Sequence, residues 1–297
     1  MDRQELRAKL EGVVAFPITP FKDDLSLDLD GLRNNLESLL NHPFCAIVAA
    51  GGTGEMYSLN AEEFAAVVKT TVEVVGGQVP VIAAAGFNWT IAPHMASSAA
   101  DMGVDGILAF PPYYPNAAFE ALKAYYLAIA NASDLGLLVY SRDWAVFTPE
   151  QVESMTDIEA LVAWKDGQAD IPRYRMIMDH VGDKLRWIGG AGDDQVPAYY
   201  ESGIRTYTSS ISNVDPALSI KLHEWAANGD PEQLEQAMND FVIPLYAFRR
   251  RGKGYEVSAM KRMMDQLGLV GGPVRPPLLD VRESDRADLK KLADWIS

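Results

Sequence analysis

A lysine stands directly after a run of apolar residues in the segment LVAWKDG at 161–167. If Lys165 is buried at the end of a strand, desolvation lowers its pKa and leaves a free amine. Such an amine attacks a carbonyl carbon and forms a Schiff base. The alternative is a structural lysine whose amine reaches solvent or pairs with Asp166. Lys165 is therefore the candidate nucleophile of the sequence.

A second apolar run ends in a tyrosine and an arginine, in GLLVYSR at 136–142. If the two strands are neighbours, the Tyr140 phenol lies beside Lys165 and can shuttle protons during imine formation. Arg142 offers a planar fork suited to a carboxylate. The alternatives are a tyrosine that caps the core and an arginine that forms a surface ion pair.

Other polar segments also follow apolar runs. In GGTGE at 51–55, the backbone of Gly52 and the hydroxyl of Thr53 could bind an anion, although the spacing matches neither a dinucleotide motif nor a P-loop. The hydroxyl-rich TSSISN at 208–213 could bind a polyhydroxylated substrate or cap a helix. In PPYYP at 111–115, two tyrosines follow prolines in a rigid segment. They could pack within the protein or contact another subunit.

Short apolar runs recur along the chain with helical segments between them. The runs occupy 12–18, 46–51, 81–86, 106–111, 136–141, 161–166, 185–190 and 206–210. Each is apolar at successive positions, which is typical of strands buried on both faces in a parallel sheet. Amphipathic helices are predicted at 27–42, 60–77, 116–133 and 148–158.

This alternation predicts an α/β fold, a closed (β/α)8 TIM barrel over residues 1–215. The alternative is an open doubly wound sheet, which usually has fewer strands. Residues 216–297 are predicted to form a C-terminal helical extension packed on the barrel. Because the chemistry of such barrels lies at the carboxyl ends of the strands, the candidate side chains should meet there.

The amino-acid composition argues against several classes of binding partner. The net charge of −15 argues against a nucleic-acid or anionic-membrane partner. The single cysteine, Cys45, and four histidines without a ligand pattern predict no internal disulfide and no metal site. The charged N-terminus is unlike a signal peptide, and no apolar run is long enough to span a membrane. We therefore expect a cytoplasmic protein with a small-molecule substrate.

Four motifs carry a resemblance to a known family: GGTGEMYSL at 51–59, PPYYP at 111–115, VYSR at 139–142 and WKDG at 164–167. Over essentially its whole length, the chain resembles the class I aldolase superfamily of dihydrodipicolinate synthase and N-acetylneuraminate lyase. Within it, the 5-dehydro-4-deoxyglucarate dehydratases are most similar, also on TSS at 208–210 and on the tail GYEVSAMK…GGPVRPPL at 254–278.

The resemblance implies that Lys165 forms an imine with the keto carbon of the substrate and that Tyr140 is its acid/base partner. Gly52 and Thr53 would hold the carboxylate beside the keto group. Tyr114 would enter the active site of a neighbouring subunit, which implies a homodimer or homotetramer. The substrate's hydroxyls or distal carboxylate would face Arg142, Ser209, Ser210 and Asn213.

The implied reaction removes water and carbon dioxide from 5-dehydro-4-deoxy-D-glucarate and gives 2,5-dioxopentanoate. It requires no metal or organic cofactor. The alternatives are another lyase or synthase of the superfamily, acting on pyruvate and an aldehyde, and a binding protein without catalysis. The family commonly has asparagine where this chain has Ser141, so this position is a candidate for altered specificity.

Overall fold

Parallel strands close into a barrel in the computed structural model, which describes residues 1–296. Within these residues there are eight strands, paired in chain order, with β8 closing on β1. Their bounds are β1 (Gly12–Ala15), β2 (Ala46–Ala49), β3 (Val81–Phe87), β4 (Gly106–Pro112), β5 (Gly136–Ser141), β6 (Leu161–Asp166), β7 (Arg186–Gly189) and β8 (Thr206–Ser209). The predicted (β/α)8 barrel is confirmed, and the open doubly wound sheet is excluded.

Burial on both faces explains the apolar runs. Every residue of β1, β2, β6 and β8 is buried. Inward side chains fill the barrel and outward side chains pack beneath the helices, so neither face has to be polar.

Helices surround the barrel and follow the strands. Their bounds are α1 (Arg3–Lys9), α2 (Leu29–Leu39), α3 (Ala61–Val75), α4 (Ile91–Asp101), α5 (Phe119–Ala130), α6 (Pro149–Met155), α7 (Ile171–Val181) and α8 (Val196–Glu201). Local sequence determines where they begin. Asn60 and Glu63 form a capping box at α3, and Thr148 and Gln151 form one at α6.

The amino-terminal end of the barrel is closed by α1. Its Leu6 is fully buried against the first residues of β4 and β5, both glycines. A Cβ at Gly106 or Gly136 would lie 2.7 or 2.9 Å from the Leu6 side chain, so glycine makes room for this plug. A substrate site must therefore lie at the opposite end, where the strands end.

The chain continues after β8 as helices. These are α9 (Pro216–Asn228), α10 (Pro231–Ala237), α11 (Ile243–Arg249), α12 (Tyr255–Gln266) and α13 (Arg286–Ile296). A π-helical turn at Met238–Val242 joins α10 to α11. Among the helices of residues 1–296, none combines the length and apolar character needed to cross a membrane.

Candidate active site

A cavity of about 390 Å³ opens at the carboxyl ends of the strands, a size suited to a small metabolite. Strand ends and the loops after them form most of its wall, and α11 and α12 complete it. The sequence-predicted residues that line it are Gly52, Thr53, Tyr140, Arg142, Lys165, Ser209 and Ser210. The cavity thus lies at the end of the barrel where such folds carry their chemistry.

Lys165 on β6 is only 3% exposed, and its amine faces the cavity. The Nζ donates a hydrogen bond to the Gly190 carbonyl at 3.1 Å and lies 3.2 Å from the centre of the Tyr140 ring. Burial lowers the pKa of the amine well below the ordinary value for lysine, and the positive charge of Arg142 lowers it further. The arrangement favours a neutral amine, the nucleophilic form.

The adjacent carboxylate does not pair with this lysine. Asp166 is buried and accepts a hydrogen bond from Arg173 of α7, with 2.6 Å between Nη2 and Oδ2. The suggested Lys165–Asp166 ion pair is therefore absent from the described residues. Asp166 instead ties the end of β6 to the following helix.

Tyr140 on β5 is the direct register partner of Lys165. Its hydroxyl donates to the same Gly190 carbonyl that Lys165 uses, at 3.1 Å, so the two groups converge on one oxygen. Burial raises the pKa of the phenol and keeps its proton in place for transfer. A Cβ at Gly167 would lie 2.7 Å from the tyrosine ring, which explains glycine at this position of the WKDG motif.

Arg142 and the loop after β2 lie on one side of the lysine. Arg142 contacts the faces of Tyr140 and Phe110, and its Nη1 would lie 3.5 Å from a Cβ built on Gly52. Its Nε pairs with Asp143 at 2.7 Å, so the surface ion pair exists while the guanidinium still lines the cavity. Together with Thr53, these groups make an electropositive, hydrogen-bonding corner suited to a carboxylate.

Two residues that were predicted to contact the substrate form hydrogen bonds to other groups of the protein. The Asn213 amide accepts from the backbone N–H of Ile18 and donates to the carbonyls of Phe16 and Ser210, all at 2.9 Å. It is buried and does not line the cavity, so it braces the loop after β8 against the loop after β1. The Ser209 hydroxyl bonds to Ser219 of α9 at 2.8 Å.

Ser210 lines the cavity. Its hydroxyl contacts Asp193 at 3.1 Å and accepts a hydrogen bond from Arg249 at 2.8 Å. Ser141, the departure from the family pattern, is buried and donates to the Ala145 carbonyl at 3.0 Å. It is not among the residues lining the cavity, so it has no direct contact through which to select a substrate.

Tyr114 lies outside the cavity of its own chain and is 63% exposed. It is part of the loop after β4, next to the still more exposed Tyr113. Two exposed aromatic side chains in sequence are typical of a contact with another molecule.

Several further residues line the cavity that the sequence motifs did not indicate. They are Tyr57, in the short helical turn after β2, and Tyr246, Arg249 and Glu256 of the C-terminal helices. For two of them the sequence holds one signal: Tyr246 and Arg249 are three residues apart, a spacing that places both on one face of a helix. Groups of three or more His, Cys, Asp or Glu side chains able to hold a metal ion are not found within residues 1–296.

Comparisons with known proteins agree with this architecture. The sequence model of the dihydrodipicolinate synthetase family matches residues 9–295. A protein of Bradyrhizobium sp. strain ORS 278, named "Probable 5-dehydro-4-deoxyglucarate dehydratase", is 38% identical over 98% of this chain and 94% of its own. A protein of the same name from Methylobacterium radiotolerans is 37% identical over 95% and 93%.

Solved structures are similar over nearly the whole chain. Dihydrodipicolinate synthase from Oceanobacillus iheyensis has a TM-score of 0.93 at 29% identity and covers 99% of both chains. The sialic acid aldolase of Ruminococcus gnavus shares the fold, with a TM-score of 0.90 at 21% identity over 97% of each chain. On its sequence match and its barrel, the chain belongs to the dihydrodipicolinate synthetase family.

Proposed function

We propose that the protein is a Schiff-base dehydratase that converts 5-dehydro-4-deoxy-D-glucarate to 2,5-dioxopentanoate, carbon dioxide and water. The observation that carries this proposal is the buried amine of Lys165, which faces a cavity and has no carboxylate partner among residues 1–296. The full-length relatives named for this dehydratase support the choice of substrate.

Lys165 begins the reaction by attacking the keto carbon with its neutral amine. Tyr140 supplies and recovers protons as the carbinolamine loses water and the protonated imine forms. The Gly52–Thr53 corner and Arg142 hold the carboxylate beside the reacting carbon. The position of each group on the cavity wall supports these roles.

The protonated imine then serves as an electron sink. Loss of a proton from the adjacent CH2 gives an enamine, which expels the next hydroxyl as water and leaves a conjugated imine. The carbon–carbon bond to the distal carboxylate breaks, carbon dioxide leaves, and its electron pair passes into the conjugated system. Protonation and hydrolysis release 2,5-dioxopentanoate and return the Lys165 amine. Overall, the dianion and one proton give the product monoanion, carbon dioxide and water.

A homo-oligomer is part of the proposal. Tyr114 is exposed and does not line the cavity of its own chain, so we propose that it contacts a second subunit. Such a contact would cover the aromatic loop after β4.

The test is turnover of 5-dehydro-4-deoxy-D-glucarate, with product followed through an NADP-dependent aldehyde dehydrogenase. We expect equal amounts of carbon dioxide and NADPH from the wild type and none from Lys165→Ala, with an unchanged circular dichroism spectrum. Lys184→Ala, which removes a surface lysine paired with Glu153, is the matched control and should keep full activity.

Other outcomes favour the alternatives. Full activity of Lys165→Ala would refute the Schiff base. No turnover, together with pyruvate trapped on Lys165 by borohydride and cleavage or synthesis of an aldol, would favour another lyase of the family. Ligand bound but recovered unchanged would favour a binding protein.

A further inference from the structure

One part of the cavity wall comes from outside the barrel. Tyr246 and Arg249 of α11 lie beside the loops after β7 and β8, where they meet Ser210 and Asp193. Because the two residues are three apart on a helix, both face the barrel. The cavity therefore has a second cationic group, on an element that follows the barrel.

Arg249 lacks an acidic partner. Its Nη1 donates to the Ser210 hydroxyl at 2.8 Å, its guanidinium lies 4.3 Å from the centre of the Tyr246 ring, and its Nε makes no hydrogen bond. The next two arginines differ, since Arg250 pairs with Asp194 at 3.5 Å and Arg251 with Asp288 at 2.8 Å. Within the described chain, no carboxylate lies within 4.0 Å of Arg249.

The nearby acid, Asp193, bonds through its Oδ2 to groups other than Arg249. Its Oδ2 accepts from the Tyr246 hydroxyl at 2.8 Å and from the Ser210 N–H at 3.0 Å. Tyr246 in turn accepts from the Asp193 N–H at 2.7 Å. Asp193 thus fixes the two side chains that hold Arg249, and the guanidinium keeps unused N–H donors beside the cavity.

The loop after β7 connects the surroundings of Lys165 to those of Arg249. Gly190 contacts Lys165, and Gly192 contacts Tyr246, where a Cβ would lie 2.5 Å from the ring. The two glycines are two residues apart, at most about 7 Å along the chain, and the Arg249 guanidinium lies 4.3 Å from the centre of the Tyr246 ring. Lys165 and Arg249 therefore border neighbouring parts of one cavity wall.

A six-carbon 2-keto dicarboxylate matches a cavity that has both an imine-forming lysine and an arginine without an acidic partner on its wall. Its keto carbon and distal carboxyl carbon are four bonds apart, about 5 Å, and the imine bond and a hydrogen bond extend this to about 9 Å. Pyruvate has no distal carboxylate to offer the guanidinium. A distal carboxylate would provide the acceptor that Arg249 lacks, with two parallel hydrogen bonds.

We propose that Arg249 is the specificity-determining residue that binds the distal carboxylate of a six-carbon 2-keto diacid held on Lys165. The inference rests on the proposed function, whose imine fixes the other end of the ligand. It assigns Arg142 to the carboxylate beside the keto group and Arg249 to the far one. The C-terminal helices thus select the substrate, while the barrel performs the chemistry.

The test compares two unreactive probes of equal length, 2-oxoadipate and 2-oxohexanoate, which differ by the distal carboxylate. Borohydride traps each as an imine on Lys165, and the concentration for half-maximal trapping measures affinity. The wild type should prefer 2-oxoadipate. Arg249→Met should weaken 2-oxoadipate about 10- to 100-fold, the range for losing charge-assisted hydrogen bonds, and leave 2-oxohexanoate unchanged. Arg249→Lys should keep part of the preference.

Arg250→Met is the matched control, since it removes an adjacent arginine that is paired at the surface and should change neither probe. Unchanged trapping of 2-oxohexanoate by Arg249→Met shows that the variant is folded and its lysine intact. The inference is overturned if Arg249→Met keeps the wild-type preference, or if Arg142→Met removes it instead. Failure of the wild type to trap either probe overturns the Schiff-base function itself.

Discussion

Replacing Lys261 by methionine should destabilise the protein strongly, because it leaves a buried carboxylate without its partner. Lys261 of α12 and Glu55 of the loop after β2 are both fully buried, with 2.5 Å between Nζ and Oε1. The Nζ also donates to the Pro273 carbonyl at 2.8 Å, and Glu55 accepts from the Arg275 N–H at 3.1 Å. The pair joins the C-terminal helices to the glycine loop of the site.

Removing one partner of a buried ion pair costs about 3–5 kcal/mol. For 297 residues the entropy of unfolding is about 0.6 kcal/mol per kelvin, so the expected fall in Tm is about 5–8 °C. The pair Lys290–Asp294 provides a control with the same 2.5 Å separation, but with side chains 65% and 58% exposed. Lys290→Met should cost at most about 1 kcal/mol, or less than about 2 °C.

The assay is thermal unfolding at pH 7, where Lys261 is charged, since burial lowers its pKa only to about 8. The double variant Glu55→Gln/Lys261→Met removes both charges and should recover most of the stability. The reasoning is refuted if Lys261→Met loses less than about 2 °C, or if the double variant is as unstable as Lys261→Met.

The same pair predicts a pH dependence. The pKa of Lys261 is about 8 in the folded protein, against 10.5 for an ordinary lysine. Between these values the unfolded chain binds more protons, so this group increases stability as the pH rises. The Tm difference between wild type and Lys261→Met should therefore widen from pH 8 upward. A constant difference over that window would contradict the lowered pKa.

Three further predictions concern the site. Arg142→Met removes a positive charge that lowers the pKa of Lys165, so the pKa should rise and the acid limb of the imine-trapping rate should move to higher pH. If the acid limb does not move, burial lowers the pKa of Lys165 without help from Arg142. Tyr140→Phe should slow imine formation by about 10²- to 10⁴-fold with little change in Tm, and trapping at the wild-type rate would remove the tyrosine from proton transfer. Tyr114→Ala should reduce oligomer stability in light scattering while leaving the barrel folded. A wild type that is monomeric at assay concentration would refute the subunit contact.

The C-terminal helices show where sequence analysis reached its limit. Tyr246 and Arg249 line the cavity because α11 packs against the loops after β7 and β8. Their positions depend on contacts with residues far away in the chain, and a short helical spacing does not reveal which surface faces them. Arg249 therefore could not be distinguished from Arg250 and Arg251 before the tertiary structure was known.

The loop after β8 shows a second limit. Ser209, Ser210 and Asn213 all looked able to contact a substrate, yet only the Ser210 hydroxyl is directed to the groups of the cavity wall. Asn213, the last residue of a short 3₁₀ turn at Ile211–Asn213, is directed into the protein, and the hydroxyl of Ser209, at the end of β8, bonds to Ser219 of α9. Side-chain direction past the end of a strand depends on loop dihedral angles, which the residue types do not specify.

The sequence by itself determined the barrel and the pairing of Lys165 with Tyr140. Apolar runs at regular spacing require parallel strands, and parallel strands bring all their carboxyl ends to one face. Consecutive strands are neighbours in such a barrel, so the ends of β5 and β6 had to meet. Only the tertiary structure decided how the lysine is desolvated, which polar groups are free for a ligand, and which helix closes the cavity, because these depend on packing between distant segments.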